Sequence, residues 1–396
     1  MKIALVHDWL RVNAGSEKVI RALCDIHEED DLDLYTLFDS LSEHDRQVIL
    51  GEKQLPVKVS PLQYFPFIKN IYRYLLPIMP SMIQRFKLDR RYEYVLSSSH
   101  AVAKGFQKEK GLMHICYCHT PMRYIWDLYE EYYQEAKCMK SVGKISTSLY
   151  EKLIDYLRKW DLESAKNVDF FIANSENVRR RIEKHYQKPA KVIYPPVRTD
   201  VFTLSLRPRQ NFYLCVGRFV PYKKVDLIVR AFKEMPEQIL MLIGDGYDMP
   251  KIKKMIKHIP NVILLGYQSD EVLIQYMQQA KACVFAARED FGIMCVEAQS
   301  CGTPVLALRE GGYIETVTEN VTGYFFDDQT EESIIRAVQQ FEENPLKDHL
   351  AIRKHAEQFS TERFRKEMKS YIHDCILKFN GQKSNQELQF EPMVAI

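Results

Sequence analysis

Long apolar runs are missing from this chain of 396 residues. None approaches the roughly 18 consecutive apolar residues that a membrane-crossing helix requires, so no span is expected. Cys-x-x-Cys pairs are missing too. The nine cysteines are scattered and odd in number, which suits a reducing cytoplasm better than a disulfide framework. Cys116-Tyr117-Cys118-His119 has no partner pair at zinc spacing elsewhere, so no metal site is expected there. A Gly-x-Gly-x-x-Gly fingerprint is absent, which disfavours a nicotinamide dehydrogenase. Net charge is small: 55 Lys and Arg against 53 Asp and Glu leave +2, so there is no global pull toward nucleic acid. The N-terminus, MKIALVHDWL, has one Lys and few apolar residues before His7 and Asp8. It reads as a first strand, not as a signal peptide.

Apolar strands alternating with helical stretches argue for α/β, doubly wound architecture, and the length argues for two domains. Strands are expected near residues 2–7, 32–36, 94–97, 114–118 and 170–174, then near 212–216, 238–243, 262–265, 281–287 and 304–307. Pro195-Pro196 continues neither a helix nor a central strand, and places a linker near 195–210. The domains are then 1–195 and 196–360, followed by a last helix at 361–380 and a polar, disordered tail at 381–396. Residues 62–92 break the rhythm with aromatics, prolines and six bases (Lys69, Arg73, Arg85, Lys87, Arg90, Arg91) against one acid, Asp89. Residues 137–160 add six bases against Glu151 and Asp155. Such segments either cover core or lie on an anionic bilayer surface.

The most informative stretch is Glu289-Asp-Phe-Gly-Ile-Met-Cys-Val-Glu297, which follows a buried strand. It sets one carboxylate in a loop at the strand's carboxyl end and a second inside the following helix. Carboxylates accept paired hydroxyl hydrogen bonds, as a polyol offers, and a helix N-terminus offers amides. Gly217-Arg218 and Lys223 follow another strand and present two cations, the usual clamp for a pyrophosphate. Gly15 follows the first strand, where it lets backbone approach a phosphate or serves a turn. His119 ends a strand beside Arg123 and Trp126. Asp31-Leu-Asp33 lies inside a strand and reads as structural. Glycine loops at Gly217, Gly244, Gly266 and Gly311 share one sheet edge if the sheet is parallel.

Together, Gly217-Arg218 with Lys223, Gly244-Asp-Gly246, Glu289-x7-Glu297, and Glu315-Thr-Val with Thr322-Gly323 resemble the family 4 glycosyltransferases. The resemblance covers nearly the whole chain. It implies a GT-B fold: two facing Rossmann-like domains with parallel sheets, the donor on the C-terminal one, the acceptor on the N-terminal one, and a C-terminal helix crossing back. It also implies a retaining hexosyltransferase that needs no metal or other cofactor. By the same resemblance, Arg218 and Lys223 bind the donor pyrophosphate and Glu297 holds the ribose. Glu289, with the amides of Phe291, Gly292 and Ile293, holds the hexose. His119 contacts the donor sugar, and Gly15 lies by the phosphates or the acceptor. His7-Asp8-Trp9, Cys118-His-Thr-Pro-Met-Arg-Tyr-Ile-Trp-Asp127 and Val220-Pro-Tyr-Lys-Lys-Val-Asp226 are similar to the O-antigen mannosyltransferase branch, which implies GDP-mannose. Ala14-Gly15 departs from it, since many relatives carry two glycines. The partners expected are a nucleotide sugar, a glycan or lipid-linked glycan acceptor in cell-surface polysaccharide biosynthesis, and an anionic membrane surface at the inner face. The alternatives are a UDP-sugar donor, another sugar-nucleotide enzyme of the same fold, or a non-catalytic sugar-nucleotide-binding subunit.

Overall fold

The computed structural model describes residues 1–51, 55–127, 129–130, 133, 147–205 and 207–389. They form two units: Met1–Ile193 together with Phe364–Ile396, and Tyr194–Arg363.

In the first unit the strands are β1 (Lys2–His7), β2 (Asp31–Thr36), β3 (Val57–Val59), β4 (Lys87–Leu88), β5 (Tyr94–Ser99), β6 (Gln107–Lys108), β7 (Met113–Cys118), β8 (Phe170–Ala173) and β9 (Ala190–Val192). β4 and β6 pair by themselves. The other seven form one parallel sheet in the order β3-β2-β1-β5-β7-β8-β9. β5 and β7 are buried along their whole length, as strands covered on both faces must be. The order runs outward from β1 on one side and outward from β5 on the other. Between β1 and β5 the winding reverses, and the crevice beyond their carboxyl ends is the place where such sheets take ligands.

Residues 61–83 form short helical turns whose inner side (Leu62, Ile68, Tyr72, Met79, Ile83) joins a core with Trp9, Phe38, Met122, Ile154 and Leu157. The last helix, Thr361–Gln389, buries Phe364, Met368, Ile372 and Cys375 against Ile3, Leu5, Val19 and Leu23. These positions recur every three or four residues, one helical stripe, so the helix packs on the first unit. It also corrects the expected tail. The helix continues to Gln389, since the stretch is rich in residues of fair helix propensity (Gln382, Lys383, Gln386, Glu387) and no proline stops it. Residues 390–396 lie outside the described residues, as do 137–146 of the second basic segment.

The second unit holds β10 (Tyr213–Val216), β11 (Leu240–Ile243), β12 (Val262–Gly266), β13 (Ala282–Phe285), β14 (Val305–Leu308) and β15 (Gly323–Phe326). They form a parallel sheet in the order β12-β11-β10-β13-β14-β15. Its winding reverses between β10 and β13. The stretch read as a linker is folded onto this unit. Val197 pairs with Phe359 and Thr361 through backbone hydrogen bonds. Arg209 donates to the carbonyls of Met277, Ala280 and Cys301 and to Thr303 Oγ1 at 2.8–3.1 Å. Two prolines end regular structure but do not prevent side chains downstream from docking. Among the described residues no helix is long and apolar enough to cross a membrane.

Candidate functional site

In the second unit, two loops leave the reversal point. After β10 the amide of Gly217 still donates to Ile243 O (3.1 Å). The loop is then stitched to the one after β11: Phe219 N donates to Asp245 O (2.9 Å), and Asp248 N to Phe219 O (2.8 Å). Gly244 makes this possible. Its φ is +146°, and a Cβ there would lie 1.8 Å from Gly217 O, so no other residue fits. Pro221–Lys223 make a single 3-10 turn ahead of the helix Val225–Lys233.

After β13, the chain passes Glu289 and reaches Gly292, whose left-handed backbone (φ +89°) opens the helix Ile293–Ser300 without a side-chain cap. The Phe291 ring is buried, with ring centroids 5.6 Å from Tyr194 and 5.5 Å from Phe359. Gly312 N donates to Glu289 O (2.9 Å), which ties this loop to the one after β14. The backbone holding Glu289 is thus fixed from two sides.

The result is a contact that the sequence did not announce. Lys223 Nζ donates to Glu289 Oε1 across the reversal point. Burial opposes the Lys223 charge, but the Glu289 carboxylate outweighs it and raises the ammonium pKa above its ordinary value. Both groups remain partly open to solvent. Arg218 stands exposed on the same loop, its Nη2 3.4 Å from Tyr222 OH. Glu297 is fully buried within the helix, so eight positions of spacing separate a loop carboxylate from a helical one. The glycines Gly217, Gly244, Gly266 and Gly311 all stand at carboxyl ends of parallel strands, hence on one edge.

The first unit carries its own cluster at the β1/β5 reversal. Gly15 is the first residue of the helix Gly15–Ile26 that follows β1, and Ala14 gives that helix no side-chain cap. His119 follows β7, with Nε2 2.8 Å from Ser98 Oγ. Burial first, then His100 and His7, push its pKa well below the usual imidazole value. His7 Nδ1 lies 3.1 Å from Ser98 O. A carbonyl can only accept, so Nδ1 carries the proton and the neutral ring leaves Nε2 as an acceptor. Asp8 is fully buried and accepts four backbone N–H bonds, from His100, Ala101, Val102 and Ala103, at 2.6–3.0 Å. His100 Nδ1 lies 3.1 Å from its Oδ2. Burial favours the neutral acid, but His100, His7 and these amides together hold the carboxyl below its ordinary value. Glu17 is buried, and desolvation raises its pKa against the pull of His7 and Ser16.

The loop after His119 is braced from behind. Trp126 Nε1 and Tyr186 OH both donate to Asp161 Oδ2 (2.8 Å), and Lys104 Nζ reaches Asp161 Oδ1 at 2.5 Å. Asp127 pairs with Arg181 at 2.9 Å. Asp33 takes hydrogen bonds from Lys58 (2.7 Å) and Tyr92 (2.5 Å), so its carboxylate is committed within the fold. His7, Asp8, Glu17 and His100 were not among the expected site residues. The rule that singled out His119, a titratable residue at a strand's carboxyl end, reaches His7 and Asp8 as well.

Residues 14–201 match the family model described as Glycosyltransferase Family 4, and residues 197–359 the model described as Glycosyl transferases group 1. These two matches, each a little under half of the chain, together span most of it. An uncharacterized glycosyltransferase of Methanocaldococcus jannaschii is 32% identical over 40% of this chain and 45% of its own length. A D-inositol 3-phosphate glycosyltransferase of Mycobacterium leprae is 32% identical over 39% of this chain and 41% of its own. The chain thus spans less than half the length of these curated relatives. HepE of Anabaena, solved with UDP and glucose, matches with a TM-score of 0.65 at 17% identity, covering 94% of this chain and 99% of HepE. Sucrose-phosphate synthase of Thermosynechococcus elongatus gives 0.65 at 16%, covering 96% and 100%. At these identities the likeness is one of fold, the GT-B fold of two Rossmann-like domains.

Proposed function

We propose that the protein transfers a hexose from a nucleotide-diphospho sugar to a lipid-linked glycan, with retention of configuration and without a metal. The reading makes it a peripheral protein of the inner membrane face, in cell-surface polysaccharide biosynthesis. One observation carries it: Lys223 and Glu289 meet at the reversal point of the second unit's sheet. A cation for a leaving diphosphate and a carboxylate for sugar hydroxyls are the two groups that such a donor requires side by side.

In this reading Arg218 and Lys223 take the pyrophosphate, and their charge is most useful as the glycosidic bond breaks. Glu297, buried in the helix, takes the ribose hydroxyls. Glu289 exchanges its Lys223 contact for the hexose, which also meets the amides of Phe291, Gly292 and Ile293. His119, neutral and oriented by Ser98, meets the donor sugar as a hydrogen-bonding group. Gly15, at the uncapped helix start, lies toward phosphate or acceptor. Mannose from GDP-mannose is the donor that the sequence motifs favour. A UDP-sugar is the alternative, supported by HepE having been solved with UDP and glucose. Calorimetric binding and slow hydrolysis of GDP-mannose, UDP-glucose and ADP-glucose, each in EDTA, test the reading. Binding and hydrolysis of GDP-mannose alone support the donor and its use without a metal. A UDP-sugar alone replaces the donor, and no binding to any overturns the transferase reading.

A further inference from the structure

We propose that the solvent side of residues 64–78 docks the first unit on an anionic lipid leaflet and feeds a lipid-borne acceptor to the end of the sheet that carries His100 and His119. This rests on the lipid-linked acceptor proposed above and names the surface that serves it. Between residues 60 and 88 the chain has no Asp or Glu and four bases, Lys69, Arg73, Arg85 and Lys87, all exposed. The inner side of the segment is core, with Leu62, Ile68, Tyr72 and Met79 buried. What stays outside is aromatic: Tyr64 is 82% exposed, Phe67 77%, Tyr74 52% and Phe65 44%, with Ile78 beside them.

Single exposed apolar residues are ordinary in a folded protein. Five within fifteen residues, interleaved with cations and free of acids, form the pattern that suits a bilayer interface. There aromatic rings sit at headgroup depth and cations meet lipid phosphates. Phe67 adds a second observation. Its backbone is left-handed (φ 57°, ψ 25°), a conformation uncommon for a bulky residue, and it holds an almost fully exposed ring. Core packing does not account for that presentation.

The segment is also joined to the candidate site of the same unit. Arg11, just beyond β1, donates through Nε to Lys69 O (3.0 Å) and lies 5.5 Å over the Tyr72 ring. The Tyr72 ring is 5.1 Å from Trp9, Trp9 is edge-on to His100 at 4.7 Å, and His100 is 6.1 Å from His119. Ring contacts therefore run unbroken from the surface segment to the reversal point of the sheet. A glycan whose lipid stays in the leaflet would be presented at this end.

Flotation of the full chain with vesicles of phosphatidylcholine alone, and of phosphatidylcholine mixed with phosphatidylglycerol, tests the proposal. The wild type is expected to float with the mixed vesicles only. Replacing two cations, Lys69→Ala with Arg73→Ala, should lower partitioning roughly 25-fold, at about fivefold per cation near an anionic surface. Tyr64→Ala with Phe67→Ala should lower it as well, and still do so in high salt, where charge attraction is screened. Circular dichroism and nucleotide release from a water-soluble sugar nucleotide should be unchanged in both double variants. Absence of flotation, or equal flotation of wild type and variants, overturns the proposal. Binding to polyglutamate without binding to vesicles also overturns it, in favour of an acidic protein partner. A chain that floats as expected yet binds and hydrolyses no sugar nucleotide leaves the docking surface standing and refutes the transferase reading instead.

Discussion

Glu289→Gln should tighten nucleotide binding while slowing transfer, and these opposite signs follow from one contact. Glu289 neutralises Lys223. A diphosphate that needs Lys223 must first compete with that carboxylate. The side chains are 21% and 15% exposed, so the pair is neither a freely solvated surface bridge, worth about 0–1 kcal/mol, nor a sealed one, whose breakage costs about 3–5 kcal/mol. An intermediate cost of about 1.5 kcal/mol is reasonable. Glutamine keeps the shape and one carbonyl acceptor but loses the charge. The released Lys223 charge then becomes available to the diphosphate, and the Kd for GDP or UDP should fall roughly tenfold. The same change leaves a half-buried cation without its counter-charge. The free variant should therefore melt lower, by about 2–4 °C per kcal/mol for a domain of this size. Sugar transfer should drop by roughly 100-fold if, as proposed, this carboxylate accepts the hexose hydroxyls, because an amide then replaces it. Titration calorimetry with the nucleoside diphosphate, thermal melts and single-turnover transfer measure the three quantities. Weaker or unchanged diphosphate binding would refute the reasoning, since Glu289 would then not be competing for Lys223.

Other positions separate other roles. Lys223→Ala should mainly lower kcat, because charge on the leaving diphosphate grows in the transition state; an unchanged kcat in steady-state assays would remove it from leaving-group stabilisation. Glu297→Ala should mainly raise the donor KM, by contacts made equally in ground and transition states, and a pure kcat effect would argue against a ribose role. Asp8→Asn should destabilise the first unit by about 2–4 kcal/mol in urea unfolding, because an amide cannot accept all four backbone N–H bonds and turns a donor toward some of them; a loss under 1 kcal/mol would mean that the amides find other acceptors. Burial, His100 and His7 depress the His119 pKa, so the folded chain binds fewer protons there than the unfolded one. Stability from this group is full above about pH 6.5 and declines as pH falls below it. An NMR titration that finds the His119 imidazole half-protonated near pH 6.5 or higher would contradict this.

Much of the architecture was readable because parallel strands buried on both faces announce themselves as short apolar runs, as in Tyr94-Val95-Leu96 and Cys283-Val284-Phe285. The strands that escaped notice have weak signals: the two-residue pair Lys87–Leu88 and Gln107–Lys108, the three-residue edge strands Val57–Val59 and Ala190–Val192, and the edge strand Gly323–Phe326, which opens on a glycine. Loop residues Arg218, Lys223 and Glu289 were legible from residue type and position after a strand. Their meeting was not, because it depends on which strands become neighbours. β10 and β13 lie about seventy residues apart in sequence and pair only once β11 and β12 have wound outward on the other side. Asp8 was obscured for a related reason. Its four partners come from residues 100–103, and no local pattern links them to residue 8.

The two reversal points use charge in different ways, and the difference bears on where ligand chemistry can occur. In the first unit, Asp8 spends its carboxylate on four amides and His100. All its lone-pair directions are taken by groups that cannot move without unravelling residues 100–103, so it shapes the end of the sheet and is not exchangeable. Around it His7 and His119 stay neutral through burial, so this end offers hydrogen bonds with little charge. In the second unit, Lys223 and Glu289 hold each other through a single side-chain contact, partly open to water, on loops whose backbones are already pinned by Gly244, Gly312 and Phe291. The proposed diphosphate and sugar would replace that contact group for group without disturbing the backbone. Under the proposed function, the exchangeable charge would serve the donor, and the rigid, weakly charged end of the first unit's sheet would suit a neutral hydroxyl. Exchanging Gly244 tests the pinning directly. Gly244→Ala would drive a methyl into Gly217 O and displace the loop that carries Lys223. If the division is right, nucleoside diphosphate binding should be lost in a variant whose first unit still shows wild-type His119 resonances. Retained binding in Gly244→Ala would show that the Lys223 loop does not depend on that close approach.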